Sequence, residues 1–405
     1  MNNWNIHEDL IQITDYQLAG PLPDPFTFDD GTPVKTPADW AKRRRELYKS
    51  AVELQYGTIP PKPEFLEVEL LSLCHHDSYR IHTGTQETPF TMSLHLFLPK
   101  GVANPPVVVD GDLCFDYCFD EKFINTFLDN GIALAMFNRT ELAPDVSDYD
   151  LSGINRETPR YQLGREILDQ LETHNCIGPL KKAYPDYTFG AVGAWAWGYS
   201  RVVDALGLLG KVDMSKIIFT GHSRGGKTAL LAGVLDERAA IVNPNEACAG
   251  GSGNYRLSIR AIPETGKERP SEPLCHIFRM FPAWMGKDLK EYIGKEEQLP
   301  FDSHFLKAMV APRVLLVGEA ASDIWANPVG SWQTTMAAKE VYKFLSCEDN
   351  LIWYFRNGTH YHTIGDLHQL VNVIKHTTED EPLNDKYFKL PFKPMELPYS
   401  WRCPE

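Results

Sequence analysis

The sequence lacks two features that would point to large partners, a long apolar run and an excess of basic charge. A membrane-spanning helix needs about 20 consecutive apolar residues, and no run of that length is present. The 54 acidic residues outnumber the 40 basic ones and give a net charge of −14 at pH 7. Because nucleic acids are bound mainly through basic surfaces, we expect neither a nucleic-acid partner nor a membrane span.

The cysteines are few and have no recognisable spacing. Eight are scattered along 405 residues without a Cys-x-x-Cys pair, which is typical neither of a disulfide framework nor of a zinc site. Residues 1–20 have neither the basic nor the apolar segment of a secretory leader. The sequence as it stands therefore predicts a cytoplasmic protein, or a secreted one whose leader is absent from it.

What is present is an alternation of short apolar runs and helical patterns. The predicted strands are 66–73, 92–98, 107–111, 132–137, 216–220, 240–244, 313–318 and 351–355. The predicted helices of this alternation are 120–129, 190–209, 227–239, 334–345 and 364–376. Such alternation predicts an α/β fold, a three-layer sandwich in which helices cover both faces of a mostly parallel sheet.

We expect a single domain over residues 1–405 with two additions. Residues 1–62 are rich in proline and turn formers and form an N-terminal extension around one helix near 37–55. Residues 247–300 form a long irregular insertion. Because such a long loop in a compact domain usually serves a function, the insertion is predicted to form a wall facing the substrate.

The strongest motif is Gly221-His222-Ser223-Arg224-Gly225, which matches the Gly-x-Ser-x-Gly pattern of a nucleophile elbow. It directly follows an apolar strand and directly precedes a helix. In such an elbow the serine occupies a strained turn, so its close neighbours must be small, and the helix that follows points backbone N–H groups at the reacting carbonyl. The motif predicts a serine hydrolase of the α/β-hydrolase fold with Ser223 as nucleophile.

A catalytic serine needs a histidine that takes its proton and a carboxylate that orients this histidine. In this fold they follow the serine in the order acid, histidine. The last predicted strand is followed by His360 and His362, and the strand before it by Glu319 and Asp323. Glu246 follows the strand after the nucleophile helix and is a second candidate acid. The residues leave the choice of base and acid open.

Two cations lie next to the predicted nucleophile. Arg224 can place its guanidinium, besides its backbone N–H, against the oxyanion that develops during ester cleavage. Lys227 lies in the first turn of the helix, where a cation is disfavoured by the helix dipole, which suggests a functional reason for its presence. Together the two cations suit an anionic or heavily hydroxylated acyl group.

The pair His360-x-His362 also has the spacing of two metal ligands on an extended segment. No third ligand is patterned nearby, and the serine motif already accounts for a histidine in this segment. We therefore expect neither a metal nor any other cofactor.

The chain resembles carbohydrate esterase family 15, the glucuronoyl esterases, and especially its bacterial branch. The resemblance rests on motifs spread over residues 20–375: GAWAWGYSRVVDAL (193–206), TGHSRGGKTALLAG (220–233), LPFDSHFLKAMVAPR (299–313) and DIWANP (323–328). Members of this family are α/β-hydrolases that cleave, without a metal, the ester between 4-O-methyl-glucuronic acid on xylan and lignin alcohols.

The resemblance also implies roles for individual residues. Ser223 is implied as nucleophile, Arg224 as part of the oxyanion hole, Lys227 as a ligand of sugar hydroxyls and Trp325 as a residue that packs on or hydrogen-bonds to the uronate. Glu246 matches the family's usual acid position, and Asp323 matches an alternative acid of some bacterial members.

Two departures from the fungal pattern are visible. The fungal disulfide is absent, because His222 and Thr363 stand where its cysteines would be. The segment around the catalytic histidine matches the bacterial pattern through His360 and the fungal one through His362, and we favour His360.

The sequence thus predicts an esterase acting on a uronic-acid ester, with a polysaccharide-linked substrate as its partner. The alternatives are an esterase on another sugar ester, such as acetylated xylan, and a non-catalytic carbohydrate-binding descendant.

Overall fold

The computed structural model of the chain describes residues 11–146, 176–264, 266–384, 387 and 396–404. Its strands, numbered in chain order, are β1 (Ile11–Leu18), β2 (Phe65–Leu73), β3 (Asp77–Gly84), β4 (Pro89–Phe97), β5 (Val107–Asp110), β6 (Ala133–Met136), β7 (Ile217–His222), β8 (Ala239–Asn245), β9 (Leu257–Pro263), β10 (Arg269–Pro270), β11 (Val314–Ala320) and β12 (Leu351–Arg356). Its helices are α1 (Pro37–Tyr48), α2 (Glu121–Leu128), α3 (Pro179–Ala183), α4 (Ala191–Leu209), α5 (Arg224–Leu235), α6 (Leu274–Met280), α7 (Ser303–Val310), α8 (Pro328–Phe344) and α9 (Ile364–Glu379).

The central sheet contains nine of the described strands, in the order β12-β11-β8-β7-β5-β6-β4-β3-β2. Neighbouring strands are parallel from β12 to β6, and β4, β3 and β2 continue the sheet antiparallel. Strands β5, β6, β7, β11 and β12 consist entirely of buried residues, as expected of parallel strands covered on both faces. The predicted three-layer α/β fold is confirmed.

The insertion is more regular than predicted. Residues 247–300 contain β9, β10 and α6, so the prediction of an irregular stretch is wrong. Strand β9 pairs antiparallel with β1 of the N-terminal extension and with β10. These three strands form a sheet separate from the central one. The two additions therefore hydrogen-bond to each other, and the segment acquires its regular structure from a partner far away in the chain.

The extension, the insertion and the central sheet share one hydrophobic cluster. It includes Trp40 of α1, Trp195 of α4, Trp284 of the insertion and Trp353 of β12, all nearly or fully buried. Burial of large aromatic side chains is a major source of folding free energy. The two additions thus pack on the same core as the sheet.

Helix α1 shows how local sequence sets an element's start. The side chain of Thr36 accepts a hydrogen bond from the N–H of Asp39, whose carboxylate in turn accepts the N–H of Thr36, and Pro37 occupies the first helical position. This capping box satisfies N–H groups that have no partner within the helix. The helix continues through a π turn (Lys49–Glu53) and ends at Tyr56.

The boundary of the nucleophile helix differs from the prediction. Helix α5 begins at Arg224, directly after the serine, and not at residue 227. Elements β1, β3 and α7 were not predicted at all. Among the described residues, no helix is long and apolar enough to span a membrane.

Candidate active site

Ser223 lies on a strained turn between β7 and α5. Its φ of 59° and ψ of −118° are unfavourable for a residue with a side chain. A Cβ atom added at Gly221 would lie 2.4 Å from the carbonyl oxygen of Gly225, and one added at Gly225 would lie 2.1 Å from Oδ1 of Asp112. The close approach of backbone and carboxylate therefore requires both glycines of the motif.

The turn is supported by a buried carboxylate that the sequence did not reveal. Asp112 Oδ2 accepts the backbone N–H of His222 at 2.9 Å and the hydroxyl of Tyr117 at 3.0 Å. The other oxygen of Asp112 forms an ion pair with the fully buried Arg139. Because Asp112 follows β5 in the adjacent strand of the sheet, it fixes the elbow from the side opposite to β8.

Four residues named from the sequence lie at neighbouring strand ends. Ser223 follows β7, Glu246 follows β8, Asp323 follows β11 and His360 follows β12, and these strands are adjacent and parallel in the sheet. Parallel strands end at the same edge of a sheet, which is where open α/β sheets bind ligands. The topology brings the four side chains together.

His360 connects the serine to a carboxylate. Its Nε2 lies 2.9 Å from Oγ of Ser223, and its Nδ1 lies 2.6 Å from Oδ2 of Asp323. The carboxylate of Asp323 is buried and also accepts the N–H of Ala326. The order serine, imidazole, carboxylate is the arrangement that activates a hydroxyl for nucleophilic attack.

Glu246 approaches the same imidazole but has a different main partner. Its Oε2 lies 3.3 Å from Nδ1 of His360, while its Oε1 is paired with the guanidinium of Arg356. Arg356 also donates from Nε to Asp366 at 2.8 Å. Asp323, at 2.6 Å, is therefore the closer acceptor for Nδ1 of His360, and the fully buried Glu246 forms part of a buried ion pair with Arg356.

These contacts change the pKa values of His360 and Glu246. Burial alone would lower the pKa of His360, but the hydrogen bond to Asp323 and the nearby Glu246 outweigh it and raise this pKa to about 10. Burial, together with the charge of Asp323, raises the pKa of Glu246 well above its ordinary value. The two carboxylates therefore favour the protonated imidazole, the form that appears after His360 has taken the serine's proton.

His362 occupies a different environment. Its ring stacks on that of His222 at a centroid distance of 5.3 Å and meets the rings of Tyr117 and Phe123 edge to face. Its Nδ1 is buried without a hydrogen-bond partner among the described residues, and burial lowers the pKa of His362. The structure thus brings His360, and not His362, to the serine.

Arg224 is clamped beside the nucleophile. Its Nη1 donates to Oδ2 of Asp145 at 2.8 Å, and its guanidinium lies 4.9 Å from the ring centroid of Phe281 and 4.8 Å from that of Trp284. Nε1 of Trp284 donates to the other oxygen of Asp145 at 2.9 Å. The aromatic wall from the insertion thus orients the guanidinium through stacking and a shared carboxylate.

A cavity of about 880 Å³ opens beside Ser223 and His360. Lys227, only 2% exposed, donates from Nζ to the carbonyl of Ala247 at 2.9 Å and to Oε2 of Glu272 at 3.1 Å. Trp325 forms another wall and packs against the ring of His276. The predicted substrate residues Lys227 and Trp325 therefore line the same cavity as the serine.

Glu272 was not predicted. It lies in the insertion, 45 residues after Lys227 in the sequence, and contacts this lysine only in the folded chain. No local sequence motif predicts an ion pair between residues so far apart in the chain. Its carboxylate is buried, and the charge of Lys227 and contact with His276 outweigh burial, so that the pKa of Glu272 is lowered.

Among the described residues, one group of possible metal ligands has its atoms within 4.8 Å of one another: His222, Glu246 and His360. Each member already has a protein partner, since Nδ1 of His222 hydrogen-bonds to Oδ1 of Asn245 at 2.7 Å and the other two residues are paired as described above. His362 is outside this group, so the two-histidine metal pattern considered from the sequence does not form.

The comparisons with known proteins agree with this geometry. A family model described as glucuronyl esterase of fungi matches residues 167–346. The 4-O-methyl-glucuronoyl methylesterases of Podospora anserina and Wolfiporia cocos are each 29% identical over 336 residues, 82% and 81% of this chain. The match spans 62% of the Podospora protein's length, less than two thirds, and 73% of the Wolfiporia protein's length.

The fold comparison extends over nearly the whole chain. A carbohydrate esterase family 15 glucuronoyl esterase from Caldicellulosiruptor kristjansonii has a TM-score of 0.79 and 26% identity, covering 97% of this chain and 98% of its own. The α/β-hydrolase fold and the resemblance inferred from the sequence are thereby confirmed. By its sequence and its fold, the chain is similar to the glucuronoyl esterases of carbohydrate esterase family 15.

Proposed function

We propose that the chain is a serine carboxylesterase that hydrolyses esters of 4-O-methyl-glucuronic acid through an acyl-enzyme on Ser223. The observation that carries this proposal is the 2.9 Å contact between Nε2 of His360 and Oγ of Ser223 at the edge of a cavity built for a polar ligand. The related proteins of Podospora anserina and Wolfiporia cocos are named 4-O-methyl-glucuronoyl methylesterases, which supports the choice of acyl group.

In the first half of the reaction, Nε2 of His360 takes the hydroxyl proton of Ser223 while Oγ attacks the ester carbonyl. The imidazolium that forms keeps its Nδ1–H directed at Asp323, 2.6 Å away. The carbonyl oxygen becomes an oxyanion. The alcohol then leaves with the proton from Nε2, and the uronate remains attached to Ser223 as an acyl ester.

The oxyanion is stabilised by groups at the start of α5. The first N–H groups of a helix have no partner within it, and they point toward the reacting carbon at the positive end of the helix dipole. The guanidinium of Arg224, fixed by Asp145, Phe281 and Trp284, adds a positive charge on the same side. Such preorganised donors are usually the largest single contribution to catalysis.

In the second half, water replaces the alcohol. His360 takes a proton from this water, whose oxygen attacks the acyl carbon. The bond between this carbon and Oγ of Ser223 then breaks, the imidazolium returns its proton to Oγ, and free uronate and the serine hydroxyl result. The sugar is held meanwhile by Lys227 and Glu272, whose buried charges offer donors and acceptors to hydroxyl groups, and by the indole of Trp325.

The proposal is tested with Ser223→Ala and benzyl glucuronate as substrate. Loss of the nucleophile in such a unit costs about 10⁴ to 10⁶ in rate, so turnover should become undetectable while the thermal unfolding midpoint is retained. Ser322→Ala is a matched control, because Ser322 lines the same cavity but the serine that hydrogen-bonds to His360 is Ser223. A Ser223→Ala variant with near-parental activity would contradict the mechanism.

The two alternatives from the sequence have their own tests. A strong preference for 4-nitrophenyl acetate over methyl glucuronate would favour an acetyl esterase. Failure of a fluorophosphonate probe to label Ser223 would favour a non-catalytic carbohydrate-binding protein. We expect labelling at Ser223 and preference for the glucuronate ester, because a cavity of about 880 Å³ is far larger than an acetyl group requires.

A further inference from the structure

The mouth of the cavity carries a charged hairpin. Arg260 of β9, Arg269 of β10 and Lys267, which lies between these strands in sequence, are among the residues that line the cavity. Lys267 and Arg269 are exposed residues, whereas Lys227 is buried, so these two cations belong to the solvent-accessible part of the lining.

The carboxylates that line the cavity already have cationic partners. Glu268 pairs with Arg260 at 2.7 Å, Glu272 pairs with Lys227 at 3.1 Å, and Asp323 is bound to His360. The charges of the enclosed part of the site are therefore balanced within the protein.

Lys267 and Arg269 differ from these paired residues in having no carboxylate partner among the described residues. Within the part of the chain that the structure describes, no carboxylate lies within 4.0 Å of either cation. The whole chain carries a net charge of −14, so two cations that line the active-site cavity without a carboxylate partner among the described residues are opposite in sign to the overall charge. A local cationic site of this kind raises the concentration of anionic ligands at a cleft.

From this imbalance we infer that Lys267 and Arg269 form a subsite for a carboxylate that the substrate carries outside its scissile ester. The inference rests on the proposed esterase function. The carboxyl group that is esterified carries no charge and is bound at Ser223, so it is not a ligand for these two cations. A free carboxylate at the entrance would be bound bidentately by the guanidinium of Arg269 and as a point charge by the ammonium of Lys267.

Such a carboxylate has two possible sources. It belongs either to a second, unesterified uronic acid in the saccharide or to the leaving alcohol. Three esters separate them: benzyl glucuronate has no free carboxylate, 4-carboxybenzyl glucuronate carries it on the alcohol, and the monobenzyl ester of a diglucuronic acid carries it on the saccharide.

The experiment compares the parent with the double variant Lys267→Ala/Arg269→Ala. The matched control is Arg45→Ala/Lys100→Ala, which removes the same charge from exposed positions that do not line the cavity. We expect the hairpin variant to lose about fivefold in kcat/KM on one of the two carboxylate-bearing esters at low ionic strength, as for exposed ion pairs. The ester that responds identifies the source.

Salt provides an independent readout. In about 1 M NaCl the screening length falls to about 3 Å, so the parent's advantage over the hairpin variant should vanish. Benzyl glucuronate should be hydrolysed equally by parent, variant and control. Equal losses on all three esters, or no loss on either carboxylate-bearing ester, would overturn the inference. If the parent fails to hydrolyse benzyl glucuronate itself, the proposed function fails instead.

Discussion

Arg224 donates a hydrogen bond to Asp145 over 2.8 Å, so the cation next to the nucleophile is fixed by a loop far from it in sequence. The carboxylate is shared with the indole N–H of Trp284, which belongs to the insertion. The direction of the guanidinium therefore depends on three separate segments of the chain.

Asp145→Asn should reduce kcat on benzyl glucuronate about tenfold and leave KM within about twofold. The amide keeps the size of the side chain but weakens its hold on the guanidinium, and a misplaced oxyanion donor acts mainly in the transition state. Steady-state kinetics measure both parameters. Asp186→Asn, at an exposed position, is the control, and a change in KM alone would argue against a role at the oxyanion.

The two carboxylates near His360 should separate in their effects. Asp323→Asn should reduce kcat/KM by about 10⁴, because loss of the orienting carboxylate of a triad has that cost, with little change in thermal stability. Glu246→Gln should keep activity within about tenfold but lower the free energy of unfolding by about 2 kcal/mol, since a buried charge-assisted hydrogen bond to Arg356 is weakened. Kinetics and thermal unfolding of both variants give the comparison. The reverse pattern would make Glu246 the orienting acid.

The pH dependence should reflect the raised pKa of His360. Only the unprotonated imidazole accepts the serine's proton, so kcat/KM should rise with pH and reach half of its maximum above 6.5, the ordinary histidine pKa. Asp323→Asn removes a negative charge and should shift this midpoint to lower pH. A midpoint at or below 6.5, unmoved by Asp323→Asn, would be incompatible with the contact geometry.

The two late histidines should differ strongly. His360→Ala should lower kcat by about 10⁴ to 10⁶. His362→Ala should lower it less than about tenfold, because His362 packs on His222, Tyr117 and Phe123, and the hydrogen bond to Ser223 comes from His360. Kinetics on benzyl glucuronate decide this, with thermal unfolding as a check on folding. Comparable losses in both variants would require a direct role for His362.

Much of the sheet could be predicted because its parallel strands contain short, wholly apolar runs such as 107–109 and 351–355. Strand β3 could not be predicted, since Tyr79 and Ile81 are the only buried residues among its first six and their polar neighbours are typical of a loop. Strand β1 is stabilised by pairing with β9, and a partner so far along the chain leaves no local pattern.

The residues of the active site also fall into a group that could be predicted from the sequence and a group that could not. The elbow could be predicted because backbone strain demands small residues at fixed positions around Ser223. The choice between Asp323 and Glu246 could not be made from sequence, because both follow parallel strands and only the fold sets their distances to His360. Asp145 and Glu272 were missed because each finds its cation only in three dimensions.

The adjacency of β8 and β11 has an evolutionary consequence. Carboxylates at the two strand ends reach the same imidazole nitrogen. In a homologue whose glutamate after β8 is not paired with an arginine, that glutamate can orient the histidine in place of the aspartate, and neither the serine nor the histidine has to move. The chain position of the orienting acid is therefore a poor marker of ancestry among such hydrolases, and a homologue without one of the two acids need not have lost activity.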